Sequence, residues 1–204
     1  MIIGLTGNIG SGKSMAVTFL RELGAAAIDA DQVGHDVILP GGSAYAGLVE
    51  AFGKEFLDEE GYIKRKQLGA YVFSDASGQR VQLLNQLTHP QIRAEIQQQI
   101  DTFRSQGYAI IVIEAALLVD SPLMELIDQL WLVSASPALA VARAAKRDDC
   151  PEESILQRRK SQRDQEELVR LADVILQNEG SPADLRAQIE KQYRQALDGL
   201  AVEV

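Results

Sequence analysis

The sequence predicts an α/β fold in which a five-stranded parallel sheet is interrupted by one long helical insertion. Short apolar runs alternate with segments of helical periodicity, which indicates repeated βα units. The strongest apolar run, 110–116, is almost continuously hydrophobic, as expected for a parallel strand covered on both faces. About eighty residues separate this run from the preceding one, whereas a βαβ crossover needs only a dozen or more.

The predicted elements follow in a simple order along the chain. The helix after the first strand spans about 13–23 and is closed by Gly24, and a long amphipathic helix is predicted over 83–103. We expect residues 1–32 and 108–204 to form the core, and residues 33–107 to form the insertion at the carboxyl ends of the strands. The five predicted strands are 2–6, 26–30, 110–116, 130–134 and 174–176.

Composition and charge exclude some classes of function. The chain has 204 residues and a formal net charge of −9, which argues against a protein that binds nucleic acid through its phosphates. Its apolar runs are all shorter than the roughly 20 residues that cross a bilayer, and the N-terminus lacks a basic signal-peptide region. Cys150 is the single cysteine, which fits a reducing compartment. We expect a cytoplasmic protein without nucleic-acid or membrane partners; the oligomeric state stays open.

A glycine-rich loop follows the first predicted strand and opens the first predicted helix. It matches the pattern Gly-x4-Gly-Lys-Ser in full, which in this context predicts a site for a nucleoside triphosphate. The glycines allow close approach of the phosphates to backbone N–H groups, Lys13 supplies positive charge, and the Ser14 hydroxyl can ligate Mg²⁺. A turn that merely caps a helix is the structural alternative. The loop reads Gly7-Asn8-Ile9-Gly10-Ser11-Gly12-Lys13-Ser14.

Two carboxylates follow the second predicted strand, at Asp29 and Asp31. Phosphoryl transfer needs a group that orients the attacking hydroxyl and takes its proton, and a carboxylate near the terminal phosphate suits that task. Both side chains would point the same way if the strand continued through them. The pair could equally cap the helix that follows.

These two motifs and several later segments resemble the dephospho-coenzyme A kinase family, and the similarity covers nearly the whole chain. The selective feature is the order of several short segments, since the phosphate loop alone is shared by a superfamily. These segments are 5–14, 28–31, Gly61-Tyr62-Ile63-Lys64-Arg65-Lys66-Gln67-Leu68, His89-Pro90, 117–119, Arg143, 146–148, 172–173 and Asn178 with Gly180. The family usually has Pro-Leu-Leu-x-Glu where this chain has Ala116-Leu117-Leu118-Val119-Asp120.

The resemblance implies a P-loop kinase core with a helical substrate-binding insertion and a lid at about 143–165. It further implies ATP with Mg²⁺ as donor, dephospho-coenzyme A as acceptor, and the last step of coenzyme A biosynthesis. On the donor side, the resemblance implies that Ser14 binds the metal, that Asn178 lies near adenine, and that the phosphates are held by Asn8, Ile9, Gly10, Ser11, Gly12, Lys13 and Ser14. On the acceptor side, it implies that Asp31 is the base and that Arg65, Lys66 and His89 lie near the acceptor. It also implies that Arg143 and Arg147 stabilise negative charge from the lid.

Structural alternatives stay open for several of these residues. His89 could begin or end a helix before Pro90, Arg65 and Lys66 could be surface charges, and Arg143 and Arg147 could form a solvated stripe on one helix face. A kinase for another nucleoside or nucleotide is the alternative enzyme. A GTP-dependent switch is the alternative from another class, but the sequence lacks the Asn-Lys-x-Asp tetrapeptide that reads guanine.

Overall fold

A five-stranded parallel sheet forms the framework of the first part of the fold. The computed structural model describes residues 1–202. The strands are β1 (Ile2–Thr6), β2 (Ala26–Asp29), β3 (Ile111–Glu114), β4 (Gln129–Ser134) and β5 (Val174–Gln177). Their order in the sheet is β2-β3-β1-β4-β5, with β1 at the centre, and all four pairings are parallel, which confirms the predicted sheet.

Helices of very different lengths connect these strands. Short 3₁₀ turns at Lys54–Phe56, Leu118–Asp120 and Pro122–Leu126 complete the regular structure of the described residues. The α-helices are α1 (Lys13–Glu22), α2 (Ala30–Asp36), α3 (Tyr45–Phe52), α4 (Arg65–Phe73), α5 (Gln79–Ser105), α6 (Pro137–Asp148), α7 (Glu152–Lys160), α8 (Gln165–Leu171) and α9 (Pro182–Val202). Within residues 1–202, none of these helices is both long enough and apolar enough to cross a membrane.

The chain divides into two compact units, one comprising Met1–Asp29 with the chain from Ile100 onward and the other comprising Ala30–Gln99. In the first unit, side chains of the central strands are fully buried, as their continuous apolar sequences predict. Helices α1 and α9 contribute to the same core. Its members include Ile3, Leu5, Ala16, Leu20, Val112, Trp131, Val133, Leu185 and Ile189.

The central position of β1 determines where a ligand can bind. Its residue Leu5 is paired with Glu114 of β3 on one side and with Trp131 of β4 on the other. In a parallel sheet the carboxyl ends of all strands lie at one edge. The loop after β1 therefore emerges between the ends of two neighbouring strands, at the kind of crevice where α/β sheets bind ligands.

The second unit, Ala30–Gln99, consists mainly of helices. A single antiparallel bridge joins Leu57 to Ile63, and the Tyr45 hydroxyl donates to the Gly61 carbonyl at 2.6 Å. The Tyr71 ring lies 5.1 Å from the Phe56 ring centroid to centroid, and the Arg80 guanidinium stacks 3.9 Å above it. The contacts of Tyr71 tie the 3₁₀ turn at Lys54–Phe56 and the start of α5 to α4.

Two local expectations are wrong in detail. Strand β2 ends at Asp29 and α2 begins at Ala30, so the strand does not continue through Asp31 and the alternation of side-chain directions does not apply. Asp31 instead lies in the first turn of α2, where a carboxylate is favoured by the helix dipole. The alternative that His89 begins or ends a helix is also wrong, because α5 contains the helix predicted over 83–103 and runs through Pro90.

Candidate active site

The loop from Gly7 to Gly12 joins β1 to α1 and lies at the N-terminal end of that helix. Gly12 precedes α1 in a left-handed conformation (φ 104°), and the first turn of α1 contains no acidic residue that would neutralise its positive end. The Ser11 N–H donates to the Asn8 carbonyl at 3.0 Å, which closes the turn. Such an arrangement is an anion site ready for phosphate groups.

A cavity of about 590 Å³ lies over this loop. It brings together every residue of the first unit to which the family resemblance gave an individual role in nucleotide binding or charge stabilisation. These residues are Asn8, Ile9, Gly10, Ser11, Gly12, Lys13, Ser14, Arg143, Arg147 and Asn178. The remaining lining residues were given no individual role from the sequence, namely Met15, Ala116, Ala144, Gln162 and Pro182.

Asn178, on the loop after β5, holds the phosphate loop in place. It is 4% exposed, and its Nδ2 donates to the Ser11 carbonyl at 2.7 Å. Arg143 in turn donates through Nη1 to the Asn178 carbonyl at 2.7 Å and through Nη2 to the Gly180 carbonyl at 3.5 Å. The loop after β5 thus connects the phosphate loop to α6. Arg143 is held by backbone carbonyls at the cavity wall rather than exposed as part of a solvated stripe.

The cations around the cavity make different kinds of contact. Lys13 Nζ donates to the Gly7 carbonyl at 2.8 Å. Arg147 Nε lies 2.7 Å from Asp148 Oδ1, and Arg158 Nη1 lies 2.9 Å from Asp148 Oδ2. The hydrogen bond from Arg147, followed by the field of that arginine, lowers the pKa of Asp148, and the same bond raises the pKa of Arg147. Arg147, which lines the cavity, therefore shares one carboxylate with Arg158.

The segment between α7 and α8 makes contacts that sequence analysis missed. The Ile9 N–H donates to Gln162 Oε1 at 2.8 Å. The next residue, Arg163, forms an ion pair with Asp120, and hydrogen bonding to Asp120 raises the pKa of Arg163. The shortened acid at 120, which departs from the family pattern, thus has a partner in this chain. No local sequence signal links either pair, because Ile9 and Gln162 lie 153 positions apart and Asp120 and Arg163 lie 43 positions apart.

The other predicted site residues belong to the second unit. Asp31 is exposed in the first turn of α2, and Arg65 and Lys66 open α4, also exposed. Arg65 Nη1 lies 3.0 Å from His35 Nδ1, and because a guanidinium only donates, this ring nitrogen is the acceptor. Sequence analysis did not single out His35.

His89, the remaining predicted acceptor-side residue, borders a shallow surface depression on α5. Gln82, Asn85 and Gln86 of the same helix line this depression with it. Gly78, Val81 and Pro90 complete the lining, and most of the surface of the depression is apolar.

Comparison with known proteins identifies the family. The family model described as dephospho-CoA kinase matches residues 1–184. A dephospho-CoA kinase from Carboxydothermus hydrogenoformans is 39% identical over 188 residues, which cover 92% of this chain and 90% of that protein. Among solved structures, a Thermus thermophilus protein is similar with a TM-score of 0.80 at 27% identity, covering 100% of this chain and 97% of the other. Dephospho-CoA kinase from Campylobacter jejuni is similar with a TM-score of 0.69 at 28% identity, covering 97% and 98%. With a phosphate loop in the expected place and relatives matched along nearly their full length, the chain belongs to the dephospho-CoA kinase family of phosphotransferases.

Proposed function

We propose that this chain transfers the terminal phosphoryl group of ATP to the ribose 3′-hydroxyl of dephospho-coenzyme A. The products are coenzyme A and ADP, and the reaction is the last step of coenzyme A biosynthesis. The main structural support for ATP as the phosphoryl donor is the cavity of about 590 Å³ that the phosphate loop, Arg143 and Arg147 line together. Membership of the family supports the acceptor.

Electrostatic stabilisation by fixed groups accounts for the chemistry at the donor. The N–H groups of the loop and the positive end of α1 receive the phosphates, and Lys13 supplies a charge beside the β and γ oxygens. Arg143 and Arg147 add positive charge where negative charge spreads during transfer. The bond from Asn178 to Ser11 fixes the loop beforehand, so less reorganisation is needed when the triphosphate arrives.

The metal ligands that the protein offers at the cavity fit a Mg²⁺ ion that is held mainly by the phosphates of the nucleotide. Among the described residues there is no group of three or more His, Cys, Asp or Glu side chains arranged to hold a metal ion. Ser14 is exposed at the cavity, and its hydroxyl is a hard oxygen ligand. This matches the preference of Mg²⁺ for few protein ligands with substrate phosphates and water. When bound, the ion neutralises charge on the β and γ phosphates.

We assign acceptor binding to the helical insertion, 33–107, and the proton transfer to Asp31. Asp31 follows β2 by two positions and is exposed, which suits a carboxylate that accepts the proton of the 3′-hydroxyl as the phosphoryl group is transferred. Arg65 and Lys66 present positive charge at the start of α4, suited to the phosphates of dephospho-coenzyme A. Arg65 is oriented by His35, and His89 is the second imidazole assigned to the acceptor side.

We further assign the segment 143–165 to a lid. It contains α7 and the end of α6, and it carries both arginines of the cavity wall. Closure of such a segment over the phosphates excludes water, which limits hydrolysis of ATP in the absence of acceptor.

The decisive experiment is a phosphotransfer assay with ATP, Mg²⁺ and a panel of acceptors. The panel contains dephospho-coenzyme A, adenosine, AMP and other nucleosides and nucleotides. Phosphorylation of dephospho-coenzyme A well above all others supports the proposal. Preferred phosphorylation of another nucleoside or nucleotide would replace it by a different kinase activity on the same fold.

A further inference from the structure

Gln162 lies in the connection between α7 and α8, and its carboxamide has a defined orientation. Its Oε1 accepts the Ile9 N–H at 2.8 Å. Since a backbone N–H can only donate, the oxygen must be the atom that faces Ile9, and the usual ambiguity between the two ends of a carboxamide does not arise. The nitrogen Nε2 is therefore directed away from Ile9.

That nitrogen is a donor still available to a ligand. Among the described residues, Gln162 Nε2 makes no hydrogen bond, and the side chain is partly buried at the wall of the cavity over the phosphate loop. Lys13 and Ser14 line the same cavity. Gln162 thus brings a neutral side-chain N–H donor to the lining of the cavity that Lys13 and Ser14 also line.

The chain that follows Gln162 is anchored by two contacts. Arg163 forms an ion pair with Asp120, which closes the 3₁₀ turn after β3. Gln165 Nε2 donates to Ser134 Oγ, at the end of β4, at 2.8 Å. These contacts hold the segment against two strand ends, so Gln162 is positioned before any ligand arrives. A donor fixed in this way contributes more to a transition state than one that must be ordered during the reaction.

We propose that Gln162 is a catalytic residue whose Nε2 donates a hydrogen bond to the terminal phosphoryl group as it leaves ADP. This inference rests on the proposed function only in taking ATP as the donor. The bond between the β–γ bridging oxygen and the terminal phosphorus breaks, a bond from the acceptor oxygen to that phosphorus forms, and the acceptor proton goes to the base. Gln162 changes no covalent bond; it stabilises charge on the oxygens of the group in transit.

Two substitutions separate this role from a structural one. Gln162→Glu keeps an acceptor for the Ile9 N–H but removes the donor, and Gln162→Met removes both at nearly the same size. Gln157→Glu is the matched control, since Gln157 is exposed on α7 and lies outside the residues that line the cavity. For both Gln162 variants we expect kcat to fall on the order of 100-fold, as for loss of one transition-state donor. The KM for dephospho-coenzyme A and the Kd for ADP, which lacks the terminal group, stay within about threefold.

Three results would each overturn the inference. The first is a kcat in both Gln162 variants close to that of the Gln157→Glu control. The second is a loss confined to Gln162→Glu, which would show that the added charge is responsible and not the missing donor. The third is a parallel loss of ADP affinity, which would show that Gln162 only shapes the phosphate loop.

The test remains distinct from that of the proposed function. Failure of the proposed function appears in the wild-type protein, as absence of transfer to dephospho-coenzyme A. Because Nε2 acts on the donor, the same ratio between variants and control is expected for the slow hydrolysis of ATP, with water as acceptor. The role of Gln162 can therefore be decided whatever the acceptor proves to be.

Discussion

Replacing Gly10 with alanine is expected to remove most ATP binding without unfolding the protein. Gly10 has a φ of +77°, and a Cβ built on it meets the backbone carbonyl of Ala140 in α6. That carbonyl belongs to a regular helix and cannot rotate aside as a flexible side chain could. The phosphate loop must therefore shift away from α6, and its N–H groups leave the positions that receive the phosphates.

Two separate free-energy costs in the Gly10→Ala protein make the phosphate loop shift. An L-residue in the left-handed region costs roughly 1–2 kcal/mol, and overpacking against a fixed neighbour costs roughly 1–3 kcal/mol more. If the shift of the loop removes one hydrogen bond to a charged phosphate, about 1.5–3 kcal/mol of binding energy is lost. Because each 1.4 kcal/mol is tenfold in Kd, the expected loss of ATP affinity is about 10- to 100-fold.

Gly107→Ala is the matched control, because Gly107 has a φ of +86° but a Cβ there meets no atom within 4 Å. This variant carries the conformational cost alone and keeps wild-type ATP affinity. Urea unfolding measures the free energy of unfolding of both variants, and calorimetric titration measures the Kd for ATP. Equal ATP affinity in Gly10→Ala and Gly107→Ala would refute the packing of the phosphate loop against α6.

Three further predictions concern single side chains. Asp31→Asn should lower kcat by about 10²- to 10⁴-fold while the Kd for ATP is unchanged, because it removes the proposed base; near-normal turnover would remove Asp31 from that role. Arg143→Lys should weaken ATP binding about tenfold, since lysine keeps the charge but cannot bridge the Asn178 and Gly180 carbonyls; unchanged binding shows the bridge to be dispensable. Hydrogen bonds from Arg80 and Ser77 lower the pKa of Asp75 from 3.8 to about 2, so this carboxylate stabilises the fold above pH 3.8 and the gain is lost as the pH falls toward 2. Asp75→Asn should therefore be less stable than wild type in urea at pH 7, with the difference shrinking over that acid range; a constant difference contradicts the assignment.

Much of the fold was predictable because its determinants are local. The strand at 2–6 and the helix start at Lys13 agree with the structure, since the apolar run and the glycine-rich loop mark both boundaries. The end of β2 was misplaced because Ala30 and Asp31 suit a helix start as well as a strand end. Tertiary packing decides such a boundary, and a local pattern does not contain it. The helix predicted over 83–103 does continue through Pro90 in α5, although a proline opposes helix continuation by roughly 3 kcal/mol.

The site was predictable where it depends on a contiguous motif and not where it depends on side chains that meet in space. Residues 7–14 follow from spacing alone, and Arg143 and Asn178 were identified through the family pattern. The hydrogen bond between Ile9 and Gln162 and the ion pair between Arg163 and Asp120 join segments that are distant in the sequence. Glutamine and aspartate are common on protein surfaces, so their identity carries no signal until the fold brings them to the loop.

The central claim is most directly tested by identifying the product formed from ATP and dephospho-coenzyme A. The account predicts stoichiometric ADP and coenzyme A, with the new phosphate on the ribose 3′-oxygen by mass spectrometry and phosphorus NMR. It also predicts that the Asp31→Asn protein forms this product only slowly. Formation of ADP without coenzyme A, or phosphorylation of the acceptor at another oxygen, would contradict it.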